Sequence, residues 1–162
     1  GSTIAPPAAG GNVPTWLEID NNSANTEKCA LYYCIASSSS HTTGTWNGIN
    51  GMVAAVLSGQ SVSTPIGGVA LGRQSQSNIV TAPAITLAQT DGSSTILHFF
   101  SRRTNTGWGP VRAGYTMLLP VSGTPMNALA SKDVTSSDGS CTITRTGGSW
   151  TSTSGSIEIR AH

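Results

Sequence analysis

The chain has 162 residues, of which only 9% are charged, and eight basic against seven acidic side chains leave a net charge of +1, which argues against a protein that binds nucleic acid by charge. Serine (23), threonine (21) and glycine (19) fill about two-fifths of it, while two lysines and three glutamates are too few helix formers for a long-helix or coiled-coil protein. No apolar run approaches the ~18 residues of a membrane span, and 37% hydrophobic residues with aromatics spread along the chain can bury a core.

In chain order, residues 1–14 read as an extended N-terminal arm, broken by Pro6-Pro7, Gly10-Gly11 and Pro14. Gly1-Ser2 reads as the scar of a cleaved tag, no signal peptide opens the chain, and the abrupt end at His162 suggests one domain cut from a longer protein. A short strand at Trp16–Ile19 precedes an Asn-rich polar loop over 20–26, and residues 28–36 carry the strongest strand pattern. Residues 37–50 are a long polar stretch holding His41 and Trp46. Met52–Leu57 fits a strand or one helical turn, since periodicity cannot separate the two at this length. Strands at Ser61–Thr64 and Ile66–Leu71 are split by Pro65 and by Gly67-Gly68.

Alternation over 84–89 puts Ile85 and Leu87 on one face, and Asp91-Gly92 marks a hairpin turn into a strand at Thr95–Ser101. Residues 102–110 form a loop, and a strand follows over 113–121, where Pro120 fits an edge or an end. Asp138-Gly139 turns into Cys141–Arg145, Gly147-Gly148 leads to Trp150, and Ser156–Arg160 closes with clean alternation. Eight to ten short strands with such punctuation predict an all-β fold, an antiparallel β-sandwich of jelly-roll or immunoglobulin-like type, as one domain over 15–162. Threonine and serine then cover the outer faces, threonine because its branched Cβ suits a pleated strand.

The three cysteines are Cys29, Cys34 and Cys141. An odd count with low charge points to one disulfide in an oxidising compartment, with three reduced thiols as the cytosolic alternative. In a strand over 28–36, Cys29 shares a face with Leu31, Tyr33 and Ile35, and Cys141 shares one with Ile143. If both faces point inward, Cys29 and Cys141 are inter-sheet partners. A Cys29–Cys34 bridge would need a tight turn through Leu31, Tyr32 and Tyr33, which is poor turn chemistry, and Cys34–Cys141 stays open.

Candidate chemistry is sparse. No G-x-S-x-G nucleophile signature occurs. Glu18, Asp20, Glu27, Asp91, Asp133, Asp138 and Glu158 sit mostly at turns or strand ends, where capping explains them better than an acid pair. His98 reads as a hydrogen-bonded sheet histidine rather than a zinc ligand shared with His41. Gly67–Gly72 has neither the lysine nor the helix of a phosphate loop, so no cofactor is implied. Asn21-Asn22-Ser23 is a glycosylation sequon, relevant only in a eukaryotic secretory pathway.

The segment Ser101–Trp108 is the richer signal: Arg102, Arg103, Asn105 and Trp108 bring guanidinium, amide and indole groups into one loop. Sugars are bound by such sets, with aromatic faces on the apolar face of a pyranose and planar polar groups on its hydroxyls or carboxylate. The bland reading is a tryptophan plugging the open end of a sandwich beside solvated arginines. Trp46, with His41 nearby, has a similar loop setting, whereas Trp16 and Trp150 sit in or beside strands and read as core. The reading is a non-enzymatic binding domain with Arg102, Arg103, Asn105, Trp108, Trp46 and His41 as candidate ligand contacts.

Ser101-Arg102-Arg103-Thr104, Trp108, Pro110-Val111 and Leu119-Pro120-Val121-Ser122 resemble a stretch of the mannose-binding adhesin of type 1 fimbriae. Length, composition and sparse cysteines likewise resemble the receptor-binding domain of two-domain tip adhesins of chaperone–usher pili. That family's acidic and amide pocket residues have no counterparts here. The resemblance implies an elongated jelly roll with a ligand pocket among loops, a host glycan or glycoprotein as partner, export through the periplasm and a place at the pilus tip, without membrane insertion. A further domain after residue 162, completed by a donated strand, would meet the periplasmic chaperone and the next pilus subunit. Two other readings are a phage or viral receptor-binding or capsid jelly roll, and a structural pilin or surface module, for which the Pro- and Gly-bearing residues 1–14 make a poor donor strand.

Overall fold

Alternation is cleanest in the strand Ser94–Arg102, where Ser94, Ile96, His98, Phe100 and Arg102 all face inward and are buried. The structure is a computed structural model that describes residues 4–22, 28–49, 51–102, 107–119, 127–134, 140–145 and 150–161. The described residues hold strands and turns and no helix: β1 (Leu17–Asn22), β2 (Cys29–Tyr33), β3 (Ile66–Ser77), β4 (Ile79–Ala82), β5 (Ser94–Arg102), β6 (Trp108–Val111), β7 (Thr116–Met117), β8 (Asn127–Val134), β9 (Cys141–Arg145) and β10 (Trp150–Ile159). All strand pairs are antiparallel.

The chain divides into two compact units, residues 1–54 and 55–162. In the first unit β1 pairs with β2. Residues 4–14 belong to it and fold back: Gly10 and Val13 exchange backbone hydrogen bonds, and Thr42 N–H donates to Asn12 O at 2.8 Å. Gly44 fits here because its φ is +72° and because a Cβ would lie 2.7 Å from Pro7 Cγ.

The second unit is a β-sandwich. One layer is a five-stranded sheet in the order β3-β10-β5-β8-β7 and the other a three-stranded sheet in the order β4-β9-β6. Val80 and Ala82 of β4, Ile143 and Cys141 of β9 and Trp108 of β6 pack against Phe100 of β5 and Ala128 and Ala130 of β8. Each large apolar side chain buried there contributes roughly 1.5–3 kcal/mol. Ile85 and Leu87 form a second cluster with Ile96, as their shared face predicts, although residues 84–89 are not a continuous strand.

A polar row crosses this core. On β10, Ser154 donates to Thr81 O, Ser156 donates to Pro83 O, and Glu158 accepts from the backbone N–H groups of Gly68, Ala88 and Gln89. Ser154, Ser156 and Glu158, alternate residues of β10, are thus tied to the chain facing them, which sets the register of strand against segment. Gly67-Gly68, expected as a break, lie inside β3, because Cβ atoms there would strike the Glu158 carboxylate and the Thr86 carbonyl. Ser156 also lies 2.8 Å from His98 Nδ1, so the buried histidine is a hydrogen-bonded sheet residue; with the serine proton on Pro83 O, His98 Nδ1–H is the donor.

Other boundaries differ from expectation. Met52–Leu57 and Ser61–Thr64 hold no strand, only Thr116–Met117 of 113–121 is paired among the described residues, and β8 arises from Asn127–Val134, where no strand was expected. The Asp138-Gly139 turn and Gly147-Gly148 lie outside the described residues. The expected Cys29–Cys141 disulfide is not made, nor is either alternative pairing. The parity argument needed both strands in one sandwich, whereas β2 pairs with β1 in the first unit and β9 with β4 and β6 in the second.

Candidate functional site

Of the expected contacts in the second unit, Arg102 and Trp108 are 4% and 3% exposed. Arg102 ends the inward row of β5, and its guanidinium carbon stacks 4.7 Å from the centre of the Trp108 ring while Nη1 donates to Gly107 O at 3.3 Å. Trp108 packs on Phe100 at 6.1 Å. The pair closes the core and presents no face to a ligand in this structure. Arg103 and Asn105 lie outside the described residues.

Trp46 is placed differently. Its indole Nε1 donates to Thr43 O at 2.9 Å, which holds the 43–46 loop in one shape. The ring sits 5.6 Å from Trp16, edge to face, and 5.2 Å from Tyr32. All three residues are half-buried, and the Trp16 Nε1 is itself buried. Trp16, expected as core, is therefore part of a half-buried cluster.

The polar edge of that cluster depends on a β-bulge. Leu17 and Glu18 pair with Tyr33 and Tyr32, but Asp20 pairs with Leu31 and Asn21 with Ala30, so Ile19 is the extra residue. One inserted residue flips the side chains that follow. Without it Asn21 would point away from Glu18; with it both stand beside Tyr32. Tyr32 Oη lies 2.9 Å from Glu18 Oε2 and 2.9 Å from Ile4 O, its single proton shared between these acceptors. Asn21 Nδ2 donates to Glu18 Oε2 at 3.3 Å. Burial raises the Tyr32 phenol above its ordinary value, and the bonded, negatively charged Glu18 raises it further, so the hydroxyl stays protonated at neutral pH.

His41 stands apart from this edge. It lines a shallow pocket of about 440 Å³ with Val13, Pro14, Leu17, Ile35 and Ser37. Leu17, which lines this pocket, belongs to the opposite face of the β1–β2 ribbon from Glu18 and Tyr32 by strand parity, so the His41 pocket and the Trp46 cluster are built on different faces of it. Among the described residues no group of three or more His, Cys, Asp or Glu converges to hold a metal ion.

The arrangement therefore brings together three half-buried aromatic residues, an exposed carboxylate, a phenol and an amide side by side. Ring faces can cover the C–H face of a sugar while the carboxylate and amide meet its hydroxyls. Sequence reasoning named Trp46 and missed Trp16, Glu18, Asn21 and Tyr32, because only the bulge at Ile19 and the folding of loop 43–46 bring them together. No protein-family model matches this chain, and neither a curated protein nor a solved structure gives a match.

Proposed function

We propose that this protein is a non-catalytic binding domain whose ligand is a glycan, displayed at a cell surface in the manner of a pilus-tip adhesin, and that it grips the sugar on the Trp16–Tyr32–Trp46 face of its first unit. The observation that carries the reading is the set of half-buried rings meeting the Glu18–Tyr32–Asn21 hydrogen-bonded edge. An antiparallel β-sandwich is a rigid scaffold on which binding loops are displayed. The site in this proposal takes the place of Arg102 and Trp108, which are buried.

The test is a broad glycan array together with a host-glycoprotein panel, probed with the intact chain. Specific retention is expected, and Trp46→Ala should weaken it by roughly 1–3 kcal/mol, the loss typical of an aromatic hot spot. Because Trp46 also supports its loop, Trp46→Phe serves as the control: it keeps an aromatic face and should keep most of the binding. Silence of the intact chain on both panels, or undiminished binding by the alanine variant, overturns the reading.

A further inference from the structure

We infer that the glycan taken by this face is non-acidic, donating hydroxyl or ammonium protons to Glu18, and that Glu18 excludes sugars that carry a carboxylate. The inference rests on the glycan-binding reading and names the ligand class of that same face.

The argument begins with the carboxylate. Glu18 is exposed, and its Oε2 is engaged by Tyr32 and Asn21. Among the described residues no hydrogen bond reaches Oε1, so that oxygen is left to accept from a ligand. A carboxylate only accepts; the group that meets it must bring a proton. Sugar hydroxyls do so, and the ammonium of an amino sugar does so with charge as well, while its C–H and N–H groups favour the adjoining ring faces.

The charge around the site points the same way. Residues 1–54 contain no arginine and a single lysine, Lys28, against Glu18, Asp20 and Glu27. All six arginines fall in residues 55–162. Asp20 is exposed too, but it pairs with Leu31 and the bulge puts it on the other face of the ribbon, so the carboxylate at the rings is that of Glu18. A sialic or uronic carboxylate bound on the rings would therefore meet the like charge of Glu18 with no guanidinium of the first unit to pair it. Arg102, one of the two arginines that could pair an acidic sugar, stacks on Trp108 inside the core of the second unit, and Arg103 lies outside the described residues.

The experiment compares matched glycan pairs that differ only by a terminal sialic or uronic acid, at low and high salt, using the intact chain and Glu18→Gln. The uncapped member should bind about tenfold or more tightly than its capped partner at low salt, and the gap should narrow at high salt. Glu18→Gln is isosteric and exposed, so the melting temperature serves as its folding control; it should weaken the uncapped member and shrink the gap. Equal or tighter binding of the capped member overturns the inference while leaving a glycan-binding face intact. An unchanged gap in a folded Glu18→Gln variant removes Glu18 from the role. Silence toward every pair member sinks the parent reading and this one together.

Discussion

Glu158 allows the sharpest test of how the sandwich is held together. Its side chain is fully buried, and each carboxylate oxygen takes two bonds: Oε2 from Gly68 N–H at 2.7 Å and Ala88 N–H at 2.6 Å, Oε1 from Gln89 N–H at 2.9 Å and Ser94 Oγ–H at 2.8 Å. The perturbation is Glu158→Gln. The amide keeps the volume but can accept on one side only. With its oxygen toward Gly68 and Ala88, two bonds survive without their charge, each weakened by about 1 kcal/mol, and Ser94 can rotate to accept. Gln89 N–H then faces an N–H₂ group and is orphaned, at about 2 kcal/mol. The loss is on the order of 4 kcal/mol, a large part of the ~5–15 kcal/mol that a domain usually has. In thermal unfolding followed by circular dichroism, that is a fall of roughly 15–20 °C for a unit of this size.

The sign with pH is fixed by the same contacts. Burial alone would raise the Glu158 pKa, but the three backbone N–H groups and the Ser94 hydroxyl outweigh it and hold the carboxyl below its ordinary value of 4.5. Its contribution is therefore present in full above the unfolded value and drains away as pH falls through the folded one. The gap in melting temperature between the two proteins should be widest near neutrality and close in acid. A loss under about 1 kcal/mol, or a gap that stays constant into acid, would refute the reasoning.

Two further outcomes follow from the packing. Trp108→Ala should cost roughly 3–5 kcal/mol in unfolding experiments while leaving glycan binding intact below the new melting temperature, because the ring fills the core rather than a site; a selective loss of binding would reverse that assignment. In non-reducing denaturant all three cysteines should titrate as thiols; in the native protein Cys141 should be shielded by burial, and Cys34 should react slowly because burial pushes its thiol pKa up. A Cys29–Cys141 peptide in a non-reducing digest would restore the discarded bridge.

The all-β sandwich was legible because its turns are punctuated by Gly, Asn and Asp and because β5 and β9 alternate within their own sequence. What escaped was set by partners distant along the chain. Arg102 was placed in a loop by ending the strand at Ser101, one residue short; the period-two row Ser94, Ile96, His98, Phe100 carries it inward. Trp108 belongs to β6, where it stands opposite Arg145 in the register with β9. β10 was underestimated because Ser152, Ser154 and Ser156 look like a solvated face, yet the strand lies between β3 and β5 with both faces covered. Gly67-Gly68 read as a break for want of knowing that Glu158, ninety residues later, needs their backbone. In the candidate site, Trp46 was visible as an aromatic in a polar loop. Glu18 and Asn21 were not, since at a spacing of three they share a strand face only when a bulge intervenes.

The most direct measurement is a two-dimensional NMR titration of the four indole N–H signals, assigned by Trp→Phe variants, with the best glycan from the array. Saturable shifts at Trp16 and Trp46, with Trp108 still, are the predicted result. Shifts at Trp108 with Trp16 and Trp46 unmoved would place the ligand at the Arg102 loop and contradict the account.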